Sequence, residues 1–104
     1  MRIATLTAAL VATAFSGGAS AAEVEVLIDK NRYEPASITV KAGDTVVWRN
    51  AETRTSHDVA FDDDVQSERL MPEDQYRRTF ATPGRYRYHC VPHPHMKGEV
   101  VVEP

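Results

Sequence analysis

Cysteine occurs once in this 104-residue chain, so no disulfide can form within it. Nothing after the first twenty residues repeats internally, follows a heptad or falls into a low-complexity tract. Long apolar runs are missing too. The uncharged stretch from Ile3 to Phe15 is too short, and too rich in Ala and Thr, for a spanning helix, and no second stretch follows it. The formal net charge is −3, with no basic stripe of the kind that nucleic-acid binding requires. These absences exclude a disulfide scaffold, an inserted mature chain and a nucleic-acid partner.

The N-terminus has a charge at Arg2, an uncharged run and Ala19-Ser20-Ala21. That pattern reads as a secretory signal peptide over residues 1–21, cut after Ala21 or after Ala22, which places the protein in the periplasm. One domain remains, over 22–104, at about −4 once Arg2 is gone. A core of that size is modest, and bound metal often stabilises domains at this scale. A lone thiol in an oxidising compartment is chemically exposed unless it is committed to a metal.

Hydrophobic spacing has period two almost throughout, the mark of half-buried strands. Val24, Val26 and Ile28 alternate with Glu25, Leu27 and Asp29; Tyr33-Glu34-Pro35 interrupts; Ser37 to Val40 resumes. Ala42-Gly43-Asp44 is a turn, and Thr45 to Asn50 a β-branched and aromatic run with Trp48 its large core residue. Ala51 to Ser56 reads as loop, His57 to Phe61 as a short strand and Val65 to Asp74 as irregular. Gln75 to Phe80 is a strand, and Thr82-Pro83-Gly84 a turn. In Arg85 to Cys90, Tyr86, Tyr88 and Cys90 share the core-facing side and Arg85, Arg87 and His89 the other; Met96 to Val102 closes the domain. The expectation is an all-β, Greek-key β-sandwich of seven or eight strands.

The chemistry gathers at Cys90-Val91-Pro92-His93-Pro94-His95-Met96. A thiolate, an imidazole and a thioether at Cys-x2-His-x2-Met spacing suit copper, which favours a trigonal His2Cys site with a weak axial Met. Pro92 and Pro94 restrict the metal-free loop, leaving less ordering to be done on binding. His57, at the start of a strand, is the candidate second imidazole. Even spacing favours His93 over His95 as the loop imidazole. Met71, beside Pro72, competes with Met96 for the thioether, and His89 should face away from the metal. Zinc also binds Cys and His, but a thioether suits it poorly. A copper enzyme would need a further metal site, for which only His89 and His95 are spare. A copper chaperone or storage protein without an electron-transfer role is the alternative to a carrier, although such proteins usually use Met-rich or Cys-x2-Cys sites.

Charge is unevenly spread. Seven acids lie between Asp58 and Asp74 against Arg69 alone, whereas Gln75 to Lys97 holds five bases and no acid. Such a chain either carries a plainly solvated mixed surface or a dipole that orients a partner.

The run Gly84-x-Tyr86-x-Tyr88-His89-Cys90-x-Pro92-His93-Pro94-x-Met96-x-Gly98 resembles the amicyanins, bacterial members of the cupredoxin or blue copper proteins. Ala42-Gly43-Asp44-Thr45-Val46-Val47-Trp48-x-Asn50 is similar to cupredoxins as well. The resemblance implies one copper ion held by His57, Cys90, His93 and Met96, and a non-enzymatic role carrying single electrons in the periplasm. It also implies protein redox partners: a periplasmic dehydrogenase (methylamine dehydrogenase for amicyanin) as donor and a c-type cytochrome as acceptor. By the same resemblance Asn50, Asp58, Met71, Pro92, Pro94 and His95 belong near the copper or on the partner-facing surface. Two positions depart from the pattern. Asp58 stands where the family usually has Asn, and a carboxylate there should favour Cu(II). His95 replaces a bulky apolar residue, which makes the partner surface more polar.

Overall fold

The computed structural model describes residues 21–104, and the expected signal peptide lies almost wholly outside the described residues. Eight strands form: β1 (Glu23–Asp29), β2 (Arg32–Glu34), β3 (Ser37–Lys41), β4 (Thr45–Asn50), β5 (Ala60–Phe61), β6 (Gln75–Thr79), β7 (Gly84–Cys90) and β8 (His93–Glu103). They make two four-stranded sheets, β2-β1-β4-β6 and β3-β8-β7-β5. There is no helix among the described residues. β1 runs parallel to β4, with Val26 opposite Trp48, and β3 runs parallel to β8. Parallel neighbours cannot be joined by a hairpin, so the chain crosses repeatedly between sheets and closes the expected β-sandwich.

Period-two patterning decides what lies between the sheets. Val26, Ile28, Val46 and Trp48 are fully buried, and Tyr88 and Val100 meet them from the other sheet. The Trp48 ring packs edge-on against Tyr88 and Phe61, with centroids 5.4 and 5.7 Å away. Tyr88 also lies across its register partner Gly98, where a Cβ would sit 2.3 Å from Cζ of the Tyr88 ring. Only glycine leaves room for that ring.

Three expectations need correction. Tyr33 and Glu34 do not interrupt the sheet; they belong to β2, which folds back on β1 with Ile28 opposite Tyr33. Lys30 and Asn31 both take positive φ, the backbone demanded by a tight two-residue hairpin. His57 to Phe61 is not a continuous strand, since only Ala60–Phe61 pairs with β7. His57 instead makes an isolated bridge to Leu70, and the Val59 N–H donates to Ser67 Oγ at 2.9 Å. A side chain takes the place of the ladder there. Finally, β8 begins at His93 rather than Met96, so Pro94 stands within a strand. It is tolerated because β3 pairs with β8 only from Glu99 onwards, leaving that edge free at Pro94.

Candidate metal centre

Cys90 ends β7 on the core-facing side, and a register shift between His89 and Cys90 bends the strand there. Val91 and Pro92 make the turn, and His93 returns directly opposite Cys90. The expected proline-stiffened loop is thus a tight hairpin end, with Pro92 in the turn and Pro94 in the strand. Met96, three residues further along β8, is 1% exposed and belongs to the same core cluster as Cys90. His57 comes from the other side, held by paired backbone hydrogen bonds with Leu70 of 3.0 and 2.7 Å.

These elements converge. Cys90 Sγ lies 3.6 Å from His57 Nδ1 and 3.6 Å from His93 Nδ1. One ligand atom from each of the three residues lies within 4.8 Å of the other two. His57 and Cys90 are completely buried, while His93 is half-buried. His95 is exposed, and its ring centroid is 6.4 Å from that of His93, so the structure separates the two imidazoles as the spacing suggested. Met71 is 53% exposed, which removes it as a rival to buried Met96. His89 pairs across to Lys97 and lies off the thiol face.

A framework of polar contacts orients these groups. Asn50 is fully buried; its amide donates to the carbonyls of Thr55 and Leu70, both at 2.9 Å, and its oxygen accepts from the Glu52 N–H. It therefore fastens the 51–56 loop to the bridge that carries His57. Asp58, also buried, points its backbone N–H at Cys90 Sγ over 3.5 Å and accepts the Val91 N–H on its carboxylate at 2.8 Å. The Asp58 carboxylate thereby braces the turn that follows Cys90, a contact that requires only an acceptor. Tyr33 donates its hydroxyl to the Asp58 carbonyl.

Glu52 is a functional residue that sequence reasoning missed. Its carboxylate lies 2.9 Å from His57 Nε2 and also accepts the Asn31 N–H at 3.0 Å. Such a contact fixes the ring's tautomer with Nδ1 free to face the sulfur. Burial works to raise the Glu52 pKa, but the hydrogen bonds from Asn31 and His57 outweigh it and hold the carboxyl below its ordinary value. Cys90 moves the other way: burial pushes its thiol up, against a smaller lowering by the Asp58 N–H. Metal uptake must therefore displace the thiol proton.

A cupredoxin-like domain model matches residues 2–102. The chain belongs to the cupredoxin-like family. Within the family this cupredoxin is amicyanin-like. It is 41% identical over 86 residues to amicyanin of Paracoccus versutus, covering 77% of this chain and 64% of that protein. It is 40% identical over 105 residues to amicyanin-alpha of Methylorubrum extorquens, covering 93% and 87% respectively. Chloroplastic plastocyanin of Tetradesmus obliquus is similar at 36% identity over 101 residues, 82% of this chain and 69% of that protein. Among solved structures, a Cu(I) form of an amicyanin variant superposes with a TM-score of 0.73 at 40% identity, covering 77% of this chain and 81% of that one.

The donors of this cupredoxin fit a copper ion. A buried thiol and two imidazole nitrogens turned toward it, with a buried thioether on the adjoining strand, provide the soft and borderline ligands of a type 1 copper centre. Around the half-buried His93, its chain neighbours Val91 (47% exposed), Pro92, Pro94 and His95 are all exposed.

Proposed function

We propose that this cupredoxin is a type 1 copper protein that carries single electrons between protein partners in the periplasm, after removal of residues 1–21. His57, Cys90, His93 and Met96 are its copper ligands, and it is a carrier rather than an enzyme. The observation that carries this reading is the meeting of His57 Nδ1 and His93 Nδ1 on Cys90 Sγ, each at 3.6 Å. The similar amicyanin structures include oxidised and reduced forms, which supports a redox role here.

The bound ion supplies a one-electron couple between Cu(I) and Cu(II). The chain's own contribution is rigidity. Cys90 and His93 are tied by strand pairing, His57 by its bridge to Leu70 and its contact to Glu52, and the thiol by the Asp58 N–H. Side chains already held in one arrangement have little to reorganise when charge changes. Of the four ligands His57, Cys90 and Met96 are buried from water and only His93 is half-buried, which makes His93 the exit for the electron. The rim around it is where a donor dehydrogenase and an acceptor c-type cytochrome dock. His95 makes this rim more polar, which weakens the case for methylamine dehydrogenase in particular as the donor.

The test is reconstitution with one equivalent of Cu(II), followed by cycles of ascorbate and hexacyanoferrate(III). Expected is an intense blue colour that bleaches and returns with copper retained. A colourless Cu(II) protein, or copper released on each reduction as in a delivery protein, would contradict the proposal.

A further inference from the structure

The chain enters β1 across a buried carboxylate. The Ala22 N–H donates to Asp44 Oδ1 at 2.8 Å, and the Ala22 carbonyl accepts the Thr45 N–H at 2.9 Å. Ala22 thereby continues the parallel pairing of β1 with β4 past its first register pair, Glu23 opposite Thr45. Asp44 is only 8% exposed. Its second oxygen accepts the Lys41 N–H at 2.9 Å. The backbone fixes Asp44 from two sides: its N–H donates to the Lys41 carbonyl, and its carbonyl accepts the Phe80 N–H, each at 3.0 Å. Hydrogen bonds from Ala22 and Lys41 hold the carboxyl below its ordinary value, so it is ionised at neutral pH. Both of these partners are neutral backbone amides. Of the charged side chains nearby, Lys41 is exposed and acts on Asp44 only weakly, while Glu23 is taken up by Arg77. A buried charge met chiefly by neutral donors is incompletely compensated.

We propose that Asp44 is the seat of the α-ammonium group of the mature chain, created when the signal peptide is cut between Ala21 and Ala22. Hydrolysis of that peptide bond consumes one water. It leaves a carboxylate on Ala21 of the released peptide and an amine on Ala22, which takes up a proton from solvent. The Ala22 nitrogen already lies 2.8 Å from Asp44 Oδ1, so the cut turns a neutral hydrogen bond into a charge-assisted ion pair. A cut one residue later would remove the donor to Asp44 and the acceptor for the Thr45 N–H together. Such a cut strands two backbone-bonded groups at the edge of the core. Two cleavage positions that look alike in the sequence are therefore unequal in the fold. The inference rests on the reading of residues 1–21 as a removed signal peptide; the copper centre takes no part in it.

The experiment is export of the full chain, intact-mass measurement of the purified protein, and NMR titration of the Ala22 methyl group in the ¹³C-labelled Cu(I) form. Expected is a chain that begins at Ala22. Its amine should titrate at least about one pH unit above the ordinary α-amino range of about 7.7–8.0, a ten-fold tighter hold on the proton. Asp44→Asn should return the midpoint to the ordinary range with the blue colour of the Cu(II) form unchanged. If that variant does not fold, one extra glycine ahead of Ala22 moves the charge off the seat without touching Asp44, and should have the same effect. The proposal is overturned if the cut chain begins anywhere but Ala22, if its amine titrates in the ordinary range, or if neither change moves the midpoint. Any of these leaves export and the carrier reading standing. A protein that keeps residues 1–21 sinks the signal-peptide reading as well, and a correctly cut, shifted but colourless protein sinks the carrier reading alone.

Discussion

The Asp58 carboxylate accepts the backbone N–H of Val91 at 2.8 Å, joining segments 33 residues apart. The same residue offers its own N–H to Cys90 Sγ. One side chain thus fixes the turn that carries the thiol while its backbone partly neutralises the sulfur. It also brings a formal negative charge where Asn would be neutral.

Asp58→Asn keeps the acceptor and removes the charge. The reduction potential should rise, by on the order of 59 mV for a ten-fold change in the redox equilibrium, with little change in stability. Asp58→Ala removes the acceptor as well and should cost about 1–3 kcal/mol through the unpaired Val91 N–H. Voltammetry and urea unfolding of the two variants separate charge from bracing.

Glu52→Leu leaves His57 Nε2 without its partner. Copper affinity should fall about 10–100-fold, as is typical when the group orienting a metal-binding histidine is lost. Glu52→Gln, which retains an oxygen acceptor, should lose much less. Competition with a chelator of known copper affinity measures both.

Tyr33 and Tyr88 predict how the fold responds to alkali. Burial pushes the Tyr88 hydroxyl up to about 12 and raises Tyr33 as well. Raised folded values mean that their contribution is complete below the ordinary value of 10.0 and is lost as pH climbs from there through 12. Unfolding free energy should therefore decline from about pH 10. Tyr88→Phe should flatten the decline with little loss at neutral pH, since that hydroxyl has no hydrogen-bond partner among the described residues. Tyr33→Phe should flatten it too, but at a loss of about 1 kcal/mol from the bond to the Asp58 carbonyl.

Gly98→Ala drives a Cβ into the Tyr88 ring. Overpacking of this kind costs about 1–3 kcal/mol. Thermal unfolding should show it, and the near-ultraviolet circular dichroism of the aromatic cluster should change.

The fold was legible where side chains alternate over a whole strand, as in β1 and β7, because burial of one face dictates period two. The site was legible where its members sit together: Cys90, His93 and Met96 lie on one hairpin end, and His57 stands out as an imidazole at the edge of the apolar segment running to Phe61. Glu52 could not be read this way. It is one polar residue in a loop with no periodicity, and only the three-dimensional path of that loop turns it onto His57. β2 was hidden because Lys30-Asn31 lacks the glycine that usually marks a tight hairpin, while Pro35 suggested a break. The proper role of Pro94 depended on where β3 stops pairing, which no local pattern records.

The most direct measurement is copper-edge X-ray absorption of the Cu(II)-loaded protein beside its Cys90→Ala and His57→Ala variants. Expected is one short copper–sulfur bond with two imidazole nitrogens, the sulfur lost in the first variant and one nitrogen in the second. An unchanged copper environment in either variant would mean that His57 and Cys90 do not share the ion, and the four-residue centre would be wrong.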